Sequence, residues 1–376
     1  MEREKLYWLW LDNLQGIGKV KRKRLLEHFQ TMEGIFNAKR EELEKIPELR
    51  ACDIDRLLER ERKERVEGEY EKLRKRGIRF LVRGESQYPE RLSYIYDSPD
   101  VLYVRGGLPD PSKRAVAIVG ARNCTVYGIE MAGEFGRELA KAGIEVISGL
   151  ARGIDSAAHK GALASHRDTL IDNCSEVESG KTFGVLGCGI DQCYPIENLE
   201  LFLEMERKGG IISEYGVGIQ PRAGNFPLRN RIISGLCDGI LVIEAKEKSG
   251  SLITAQLGLE QGKDIFAVPG RGCDVLSKGC NHLIKQGAFL VDSPKDILEF
   301  YQIEMRKIWE ENKKNKNFLD LKWEMVYSGL SLKPKHIHTI MEEMNMSLAD
   351  TMEILLSLEM RGYVKKVDRN YYVLVN

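Results

Sequence analysis

The chain divides into stretches that differ in the spacing of their apolar residues. Residues 1–76 carry charged helical patterns, with apolar residues three or four positions apart and little strand signal. Short continuous apolar runs alternate with helical segments from 77 to 302. The pattern is lost in a charged stretch at 303–318 and resumes from 319 to 376. We therefore expect a small helical domain, a main domain, a linker and a small third domain with these boundaries.

Six apolar runs inside the main domain predict the strands of one sheet. Each is followed by a glycine or polar turn and then by a helical pattern, which is typical of a parallel sheet covered on both faces. Strand-like pieces between residues 78 and 106 extend the sheet. We expect an α/β fold with an extended Rossmann-like, mostly parallel sheet. The runs are AVAIVG (115–120), IEVISG (144–149), FGVLG (183–187), GIISEY (210–215), GILVIEA (239–245) and DIFAVPG (264–270).

Composition limits the possible functions. The 57 basic and 57 acidic residues cancel, so a polyanion would bind only at a local patch. No apolar run approaches the ~20 residues that span a bilayer, so we expect a cytoplasmic protein with no membrane partner. The eight cysteines are scattered and form no CxxC pair, which predicts reduced thiols and no metal site.

The turns after the strands are the first places to look for a binding site. In open parallel sheets, loops and helix N-termini at the carboxyl ends of the strands present N–H groups to anions. The turn VGARNCTVYG (119–128) places Arg122 beside a helix N-terminus, after a sharp exit at Gly120. It is not the GxGxxG motif, so it implies no dinucleotide cofactor.

Two further turns are rich in glycine. In SGLARGIDSAAH (148–159), Gly149 and Gly153 flank Arg152, while Asp155 or Ser156 is expected to cap the next helix, and a purely structural role for Asp155 is a strong alternative. The turn FGVLGCGIDQCYP (183–195) lacks the glycine and lysine spacing of a Walker motif, and we interpret it as a structural turn near the binding site.

The stretch GNFPLRNR (224–231), which we expect to be a loop entering a helix, has the strongest binding signal. Phe226 offers an aromatic face to a base, and Arg229 and Arg231 offer guanidinium groups to adjacent phosphates. The open alternative is that Phe226 fills the core and Arg231 is a surface salt-bridge partner. We favour single-strand binding because the stretch occurs together with the glycine turns.

Residues 249–251 (SGS) precede an amphipathic helix, with Lys246 and Lys248 nearby, and form an N-terminus suited to anions. The turns contain no serine nucleophile elbow, no histidine and carboxylate set at metal spacing and no obvious pair of acids. We therefore expect no catalytic residue, no metal and no cofactor.

Taken in order, these segments closely resemble the DNA processing protein A family, also called DprA or Smf, over about residues 78–300. The segments that carry the resemblance are VGARNCTVYG, SGLARGIDSAAHKGAL, VLGCGIDQCYPIEN, ISEYGVG, FPLRNRIISGL, SGSLITAQLGLEQGKDIFAVPG and LIKQGAFLV. The resemblance implies a single-stranded-DNA-binding recombination mediator without catalysis. It also implies a homodimer that protects incoming strands and helps load the RecA recombinase on them in natural transformation.

By motif position, the resemblance assigns phosphate contact to Arg122 and base stacking to Phe226. A basic residue of some members falls on Ala223, although Arg222 stands beside it. The segment SHRDTLIDNCSEVESG (165–180) departs from the family, and we expect an inserted surface loop there. The full expected binding set is Gly120, Arg122, Gly149, Arg152, Gly153, Arg222, Phe226, Arg229, Asn230, Arg231, Lys248, Ser249, Gly250 and Ser251.

The N-terminal segment LQGIGKVKRKRLLEHF (14–29) resembles the hairpin of a helix-hairpin-helix (SAM-like) module. Gly16 and Gly18 would expose N–H groups, and residues 19–24 would supply positive charge to phosphates. An interaction module without DNA contact is an equally open alternative.

The C-terminal segment from residue 336 onward predicts two helices and a hairpin wing, similar to a winged helix. Its second helix is acidic and would be repelled by the phosphates that line the groove of a DNA duplex. We therefore expect a protein-contact or regulatory role for this segment. The helix has an apolar stripe that we expect in the core: Leu348, Met352, Leu355, Leu356 and Met360.

The alternative function is a Rossmann-like nucleotide-hydrolysing enzyme. The segment VPGRGC (268–273) faintly resembles the PGG-type motif of such enzymes. The missing second glycine and the lack of an acid and base pair argue against hydrolysis.

Overall fold

The structure is a computed structural model, and the chain forms two compact units, Met1–Ile303 and Glu304–Asn376. The linker expected at 303–318 lies, after residue 303, outside the described residues. The described residues are 2–172, 179–303, 326–327, 329–330, 334–344, 346–360, 363–368 and 370–374.

The first 76 residues are helical, in agreement with their apolar spacing, but they do not form a unit of their own. Trp10, Leu25 and Ile54 belong to the same buried cluster as Phe80 and Tyr103 of the first two strands. These helices therefore form a layer of the larger unit, because their apolar faces are covered by the sheet edge. They are α1 (Glu2–Asp12), α2 (Lys19–Phe29), α3 (Met32–Asn37), α4 (Arg40–Leu43), α5 (Ala51–Leu58) and α6 (Arg60–Lys75).

A nine-stranded sheet forms the centre of the larger unit, in the order β1-β2-β6-β5-β4-β3-β7-β8-β9. Strands β3 to β9 run parallel, whereas β1 and β2 are antiparallel additions at one edge. The strands are β1 (Ile78–Val82), β2 (Val101–Gly106), β3 (Ala115–Val119), β4 (Glu145–Ser148), β5 (Thr182–Leu186), β6 (Gly210–Ser213), β7 (Gly239–Val242), β8 (Asp264–Ala267) and β9 (Phe289–Leu290).

The α/β fold with a mostly parallel sheet is the one that the apolar runs predict. All six predicted runs are strands, and β3 to β7 are buried along their whole length. Buried parallel strands need apolar residues on both faces, which is why continuous runs identify them. The short edge strand β9 was not among the predicted runs.

Helices cover both faces of the sheet and produce two cores. One core joins the strands to α11, α12 and α13, and the other joins them to α8, α9 and α14. The remaining helices of this unit are α7 (Glu90–Ser93), α8 (Val126–Lys141), α9 (Ile154–Asp172), α10 (Leu199–Lys208), α11 (Asn225–Leu236), α12 (Gly250–Glu260), α13 (Lys278–Lys285) and α14 (Pro294–Phe300).

The strand order reverses beside β3, and this point positions the site. The chain proceeds from β3 through β4 and β5 to β6 on one side, and then returns to β7 on the other side of β3. The turns after β3 and β7 therefore diverge and leave a crevice at the carboxyl ends of the strands.

The segment 165–180, expected to be a surface loop, begins as helix. Helix α9 continues through Asp172, so the first half of the segment extends a regular element. Residues 173–178 lie outside the described residues.

The C-terminal unit contains a three-stranded antiparallel sheet in the order β10-β12-β11. Ile340, Leu355 and Tyr372 belong to its core. Its described elements are β10 (Lys335–His336), α15 (Ile337–Met344), α16 (Leu348–Met360), β11 (Val364–Asp368) and β12 (Tyr371–Leu374).

The prediction that the apolar stripe of α16 lies in the core is wrong for three of its five residues. Leu355 is buried, but Leu348, Met352 and Leu356 are exposed, and the Met360 side chain lies outside the described residues. The helix is apolar on two faces, so sequence spacing did not distinguish them. The buried face consists of Thr351, Ile354, Leu355 and Leu358, at the i, i+3, i+4, i+7 spacing of one helix side.

Candidate nucleic-acid interface

A groove of about 560 Å³ lies at the crevice where the strand order reverses. Its walls come from the turns after β3, β4, β5 and β7 and from the segment between β6 and α11. This volume falls within the range of small-ligand sites, about 300–1,000 Å³. Because Leu276, which follows β8, also lines the groove, six separate chain segments meet at one place.

Phe226 lies in the groove wall, half-buried, in the first turn of α11. The stretch 224–231 was expected to be a loop, but the helix already begins at Asn225. The ring packs against Gly187 after β5, where an added Cβ would lie 2.7 Å from Phe226 Cδ1. The glycine thus leaves the space that the ring occupies.

Arg122 and Tyr194 are the neighbours of the Phe226 ring. The exposed guanidinium of Arg122 lies over the ring at 5.1 Å from its centroid. The Tyr194 ring lies 5.5 Å away with a 33° angle between the planes. A cation and an aromatic face are therefore adjacent at the groove wall, a contact worth about 0.5–1 kcal/mol at exposed sites.

Arg229 forms part of the groove floor and is only 4% exposed. Its Nη1 donates to the Gly149 carbonyl at 2.9 Å and to the Val185 carbonyl, which joins the ends of β4 and β5. Its buried Nε has no hydrogen-bond partner. Burial lowers the pKa of Arg229 to about 10, with Asp155 opposing the change. The guanidinium is therefore charged at neutral pH.

Asp155 is the acidic group beside this floor. Its Oδ2 accepts hydrogen bonds from the backbone N–H of Gly149 at 3.1 Å and of Ala151 at 3.4 Å. Burial raises the pKa of Asp155, while Arg229 and the backbone donors act in the opposite direction. The carboxyl group thus orders the turn after β4, as a cap would.

The N-terminus of α12 opens into the groove through Ser249, Gly250 and Ser251. Ser249 has extended backbone angles but makes no side-chain cap hydrogen bond, so the first N–H groups of the helix are not capped by it. Asn230 Nδ2 donates to the Gly250 carbonyl at 3.2 Å and fixes the start of α12 to α11. Such a terminus suits a phosphate oxygen.

Arg231 faces away from the groove. Its Nη2 contacts both carboxylate oxygens of Glu214 at 2.6 Å, and its Nε lies 2.8 Å from Asp97 Oδ2. The structure therefore supports the salt-bridge interpretation of this residue, although in a buried position and not at the surface.

Three other basic residues of the expected set lie outside the groove lining. Arg152 pairs with Glu197. Arg222 is exposed between Pro221 and Ala223, which do line the groove. Lys248 lines a shallower neighbouring pocket.

The expected glycines act through close packing. A Cβ at Gly149 would lie 2.6 Å from the Arg229 guanidinium, and one at Gly120 would lie 2.6 Å from Ile154. Gly153 has a φ of +74° and approaches the Ala121 carbonyl. These positions let α9 and Arg229 come close to the strand ends.

Two groove residues, the aromatic Tyr194 and the basic Lys246, are absent from the expected binding set. The sequence places Tyr194 in a structural turn and Lys246 near the start of a helix. The turn after β5 carries no glycine-and-lysine motif, so its aromatic residue had no recognised signal.

The basic run of α2 is largely neutralised by acidic partners. Its pairs are Lys19 with Asp97, Lys21 with Asp53 at 2.6 Å, Arg22 with Asp12 at 2.8 Å, Lys23 with Glu27 at 4.0 Å and Arg24 with Glu48 at 2.9 Å. These ion pairs reduce the positive charge that the segment offers to a phosphate.

Within the described part of the chain, no group of three or more histidine, cysteine or acidic residues could hold a metal ion. The seven cysteines described there are free. No described helix is long and apolar enough to cross a membrane.

Comparisons with known proteins agree with the fold. The DNA processing protein DprA of Streptococcus pneumoniae is 43% identical over 215 residues, 57% of this chain and 71% of that protein. The Bacillus subtilis DprA is 38% identical over 261 residues, 67% of this chain and 84% of that protein.

Solved structures show the same similarity. The X-ray structure of DprA from Streptococcus pneumoniae matches with a TM-score of 0.63 at 33% identity, covering 78% of this chain and 97% of that one. A structure of DNA processing protein A from Helicobacter pylori, which concerns its single-stranded DNA binding mode, matches with a TM-score of 0.51 at 28% identity, covering 60% and 95%.

A sequence model of the family described as DNA recombination-mediator protein A matches residues 79–302, which contain the whole sheet from β2 to β9 and every residue of the groove. Because that match covers more than half of the chain, the protein belongs to the DNA recombination-mediator protein A family.

Proposed function

We propose that the chain binds single-stranded DNA in the groove and acts as a recombination mediator. The observation that carries the proposal is the half-buried Phe226 ring beside the Arg122 guanidinium, in a groove that also contains the uncapped start of α12. Single-strand binding requires at least an aromatic face for a base and adjacent N–H or guanidinium groups that bind phosphate. The Helicobacter pylori relative binds single-stranded DNA.

The same geometry favours single strands over duplex. Phe226 is recessed in a groove, so a base reaches its face only when it is unpaired and turned away from its neighbours. Arg122, Lys246 and the buried Arg229 provide positive charge along the groove, and Asp155 is the acidic residue of its lining. The formal charge of the lining is therefore positive, although the whole chain is neutral.

The test is a titration of labelled oligothymidine at fixed salt, with and without duplex competitor. We expect Phe226→Ala to weaken binding by about five- to a hundredfold, because stacking contributes about 1–3 kcal/mol per base. Duplex competitor should leave the wild-type titration almost unchanged.

The matched control is Leu228→Ala on the same helix. Leu228 is exposed and lies outside the groove lining, so its loss should leave affinity unchanged. Equal affinities of Phe226→Ala and wild type would refute the proposal, provided that both proteins unfold at the same temperature.

In this proposal the groove binds nucleotides without hydrolysing them. The acidic residue of the groove lining, Asp155, is held by two backbone N–H donors, which supports a structural role for it. Incubation with nucleotides followed by assays for released base and phosphate addresses the enzyme alternative.

We further propose that the chain forms a homodimer, protects bound strands and delivers them to the RecA recombinase. The edge strand β9 supports a dimer, because Phe289 and Leu290 are exposed at the end of the sheet. The acidic, partly apolar exposed face of α16 supports a protein-contact role for the winged-helix-like unit.

A further inference from the structure

We infer that Tyr194 is a second base-stacking platform, so that the groove holds at least two nucleotides of one strand. The inference rests on the proposed single-strand binding and extends it from one base to two. Tyr194 follows β5, whereas Phe226 belongs to α11, so the two platforms come from different parts of the chain.

The position of Tyr194 suits a stacking role. Its side chain is 44% exposed and lines the groove beside Phe226. The ring centroids are 5.5 Å apart, less than the ~7 Å that a base inserted between two rings requires at the 3.4 Å spacing of stacked bases. A base therefore cannot enter between the rings, so the two rings would contact different bases of the strand, with Arg122 beside the base at Phe226.

The surface beyond Tyr194 is apolar and exposed. Ile196 and Leu199 follow it, and both are exposed at the surface. Exposed apolar side chains that follow a groove residue in sequence are available to an apolar partner surface. Unpaired bases have large apolar faces, which these side chains would contact as the strand passes Tyr194.

The charges around Tyr194 do not oppose a strand. Two carboxylates lie three positions from Tyr194: Glu197 is paired with Arg152, and Asp191 accepts a hydrogen bond from the Gly218 N–H at 2.8 Å. On the other side, Arg122 lies next to Phe226 and is accessible to a phosphate of the same strand. A nucleotide backbone would thus meet a paired acid at one platform and a cation at the other.

A double-mutant cycle with Phe226→Ala and Tyr194→Ala tests the inference, using labelled oligothymidine and the full chain. We expect Tyr194→Ala alone to weaken binding by about five- to a hundredfold, and the double variant to bind more weakly than either single variant. Tyr194→Phe keeps the ring and should bind like wild type. Tyr96→Ala removes an exposed tyrosine outside the groove lining and should also bind like wild type.

A second readout separates stacking from support of Phe226. Photocrosslinking of an oligonucleotide that contains 5-iododeoxyuridine, followed by peptide mapping, should give adducts at both Tyr194 and Phe226. The slope of log affinity against log salt should be unchanged in Tyr194→Ala, because stacking releases no counterions.

Three outcomes would overturn the inference. Wild-type affinity of Tyr194→Ala together with weakened Phe226→Ala leaves single-strand binding in place but removes the second platform. A double variant that binds like Phe226→Ala alone shows that Tyr194 only positions Phe226. Full affinity of both single variants overturns the proposed function as well.

Discussion

Two arginines that lie two residues apart on the same helix show how position decides a residue's role. Arg229 lies under the groove and Arg231 contacts Glu214 and Asp97 on the other side of α11. Residues two apart on a helix point about 200° apart, because each residue turns the helix by about 100°. The motif alone suggested that both bind phosphate, but only Arg229 faces the groove.

His159 is a buried residue that makes stability depend on pH. Its Nδ1 pairs with the hydroxyl of Thr182 at 2.7 Å, and that hydroxyl donates to the Val146 carbonyl. The ring therefore donates through Nδ1, and its buried Nε2 has no partner. Burial, with a contribution from Arg229, lowers the pKa of His159 to about 3.

The buried neutral His159 should make the folded protein sensitive to acid. The unfolded chain protonates this histidine near its ordinary pKa of 6.5, but the folded chain does not. The stabilisation is complete above pH 6.5 and is lost as pH falls towards 3, at about 1.4 kcal/mol per pH unit. Between pH 7.5 and 5, wild type should lose about 2 kcal/mol more free energy of unfolding than His159→Gln.

Urea unfolding at the two pH values measures this difference. The glutamine amide can donate to Thr182 without titrating, so it serves as the matched control. Parallel losses in the two proteins would contradict the role assigned to His159.

At the scale of elements, helix α2 combines a basic sequence with paired charges. Lys21 and Arg22 contact the acidic residues Asp53 and Asp12, of which Asp53 is buried. A basic run is therefore not by itself a phosphate site, because partners distant in sequence neutralise it.

The prediction for α2 is that its exposed cations do not contribute to DNA binding. Lys23→Gln with Arg24→Gln should leave both affinity and the slope of log affinity against log salt unchanged. Arg122→Gln at the groove should reduce that slope by about one, the value for one lost phosphate contact. A reduced slope in the α2 variant would show that this helix contacts the strand.

Elements differed in how well the sequence predicted them. The runs that became β3 to β8 were identified because buried parallel strands leave a continuous apolar signature. The start of α11 was placed too late, since the Pro227 in its first turn looks like loop sequence but is tolerated there. The two-residue strand β9 is too short to produce a pattern.

At the scale of the whole molecule, the sheet of the described residues ends at strand β9. Strand β9 pairs with β8 on one side, and its Phe289 and Leu290 side chains are exposed. Natural proteins cover or charge such edges. This apolar edge is the surface that we associate with the proposed homodimer.

The prediction at this scale is that Leu290→Lys converts the dimer to a monomer. Sedimentation equilibrium of the full chain should give twice the chain mass for wild type and the chain mass for the variant. Leu203→Lys on α10 places the same charge on another exposed apolar residue and should remain dimeric. A dimer that persists in Leu290→Lys would move the interface elsewhere.

Local apolar patterns and backbone freedom were enough to predict the α/β class, strands β3 to β8 and the glycine turns at their ends. The tertiary structure was needed to show which side chains share the groove. In the folded chain Tyr194 lies beside Phe226, Arg231 forms an ion pair with Glu214, and the cations of α2 pair with acidic residues. These outcomes depend on strand order and on contacts between distant segments, and local spacing along a chain does not encode either one.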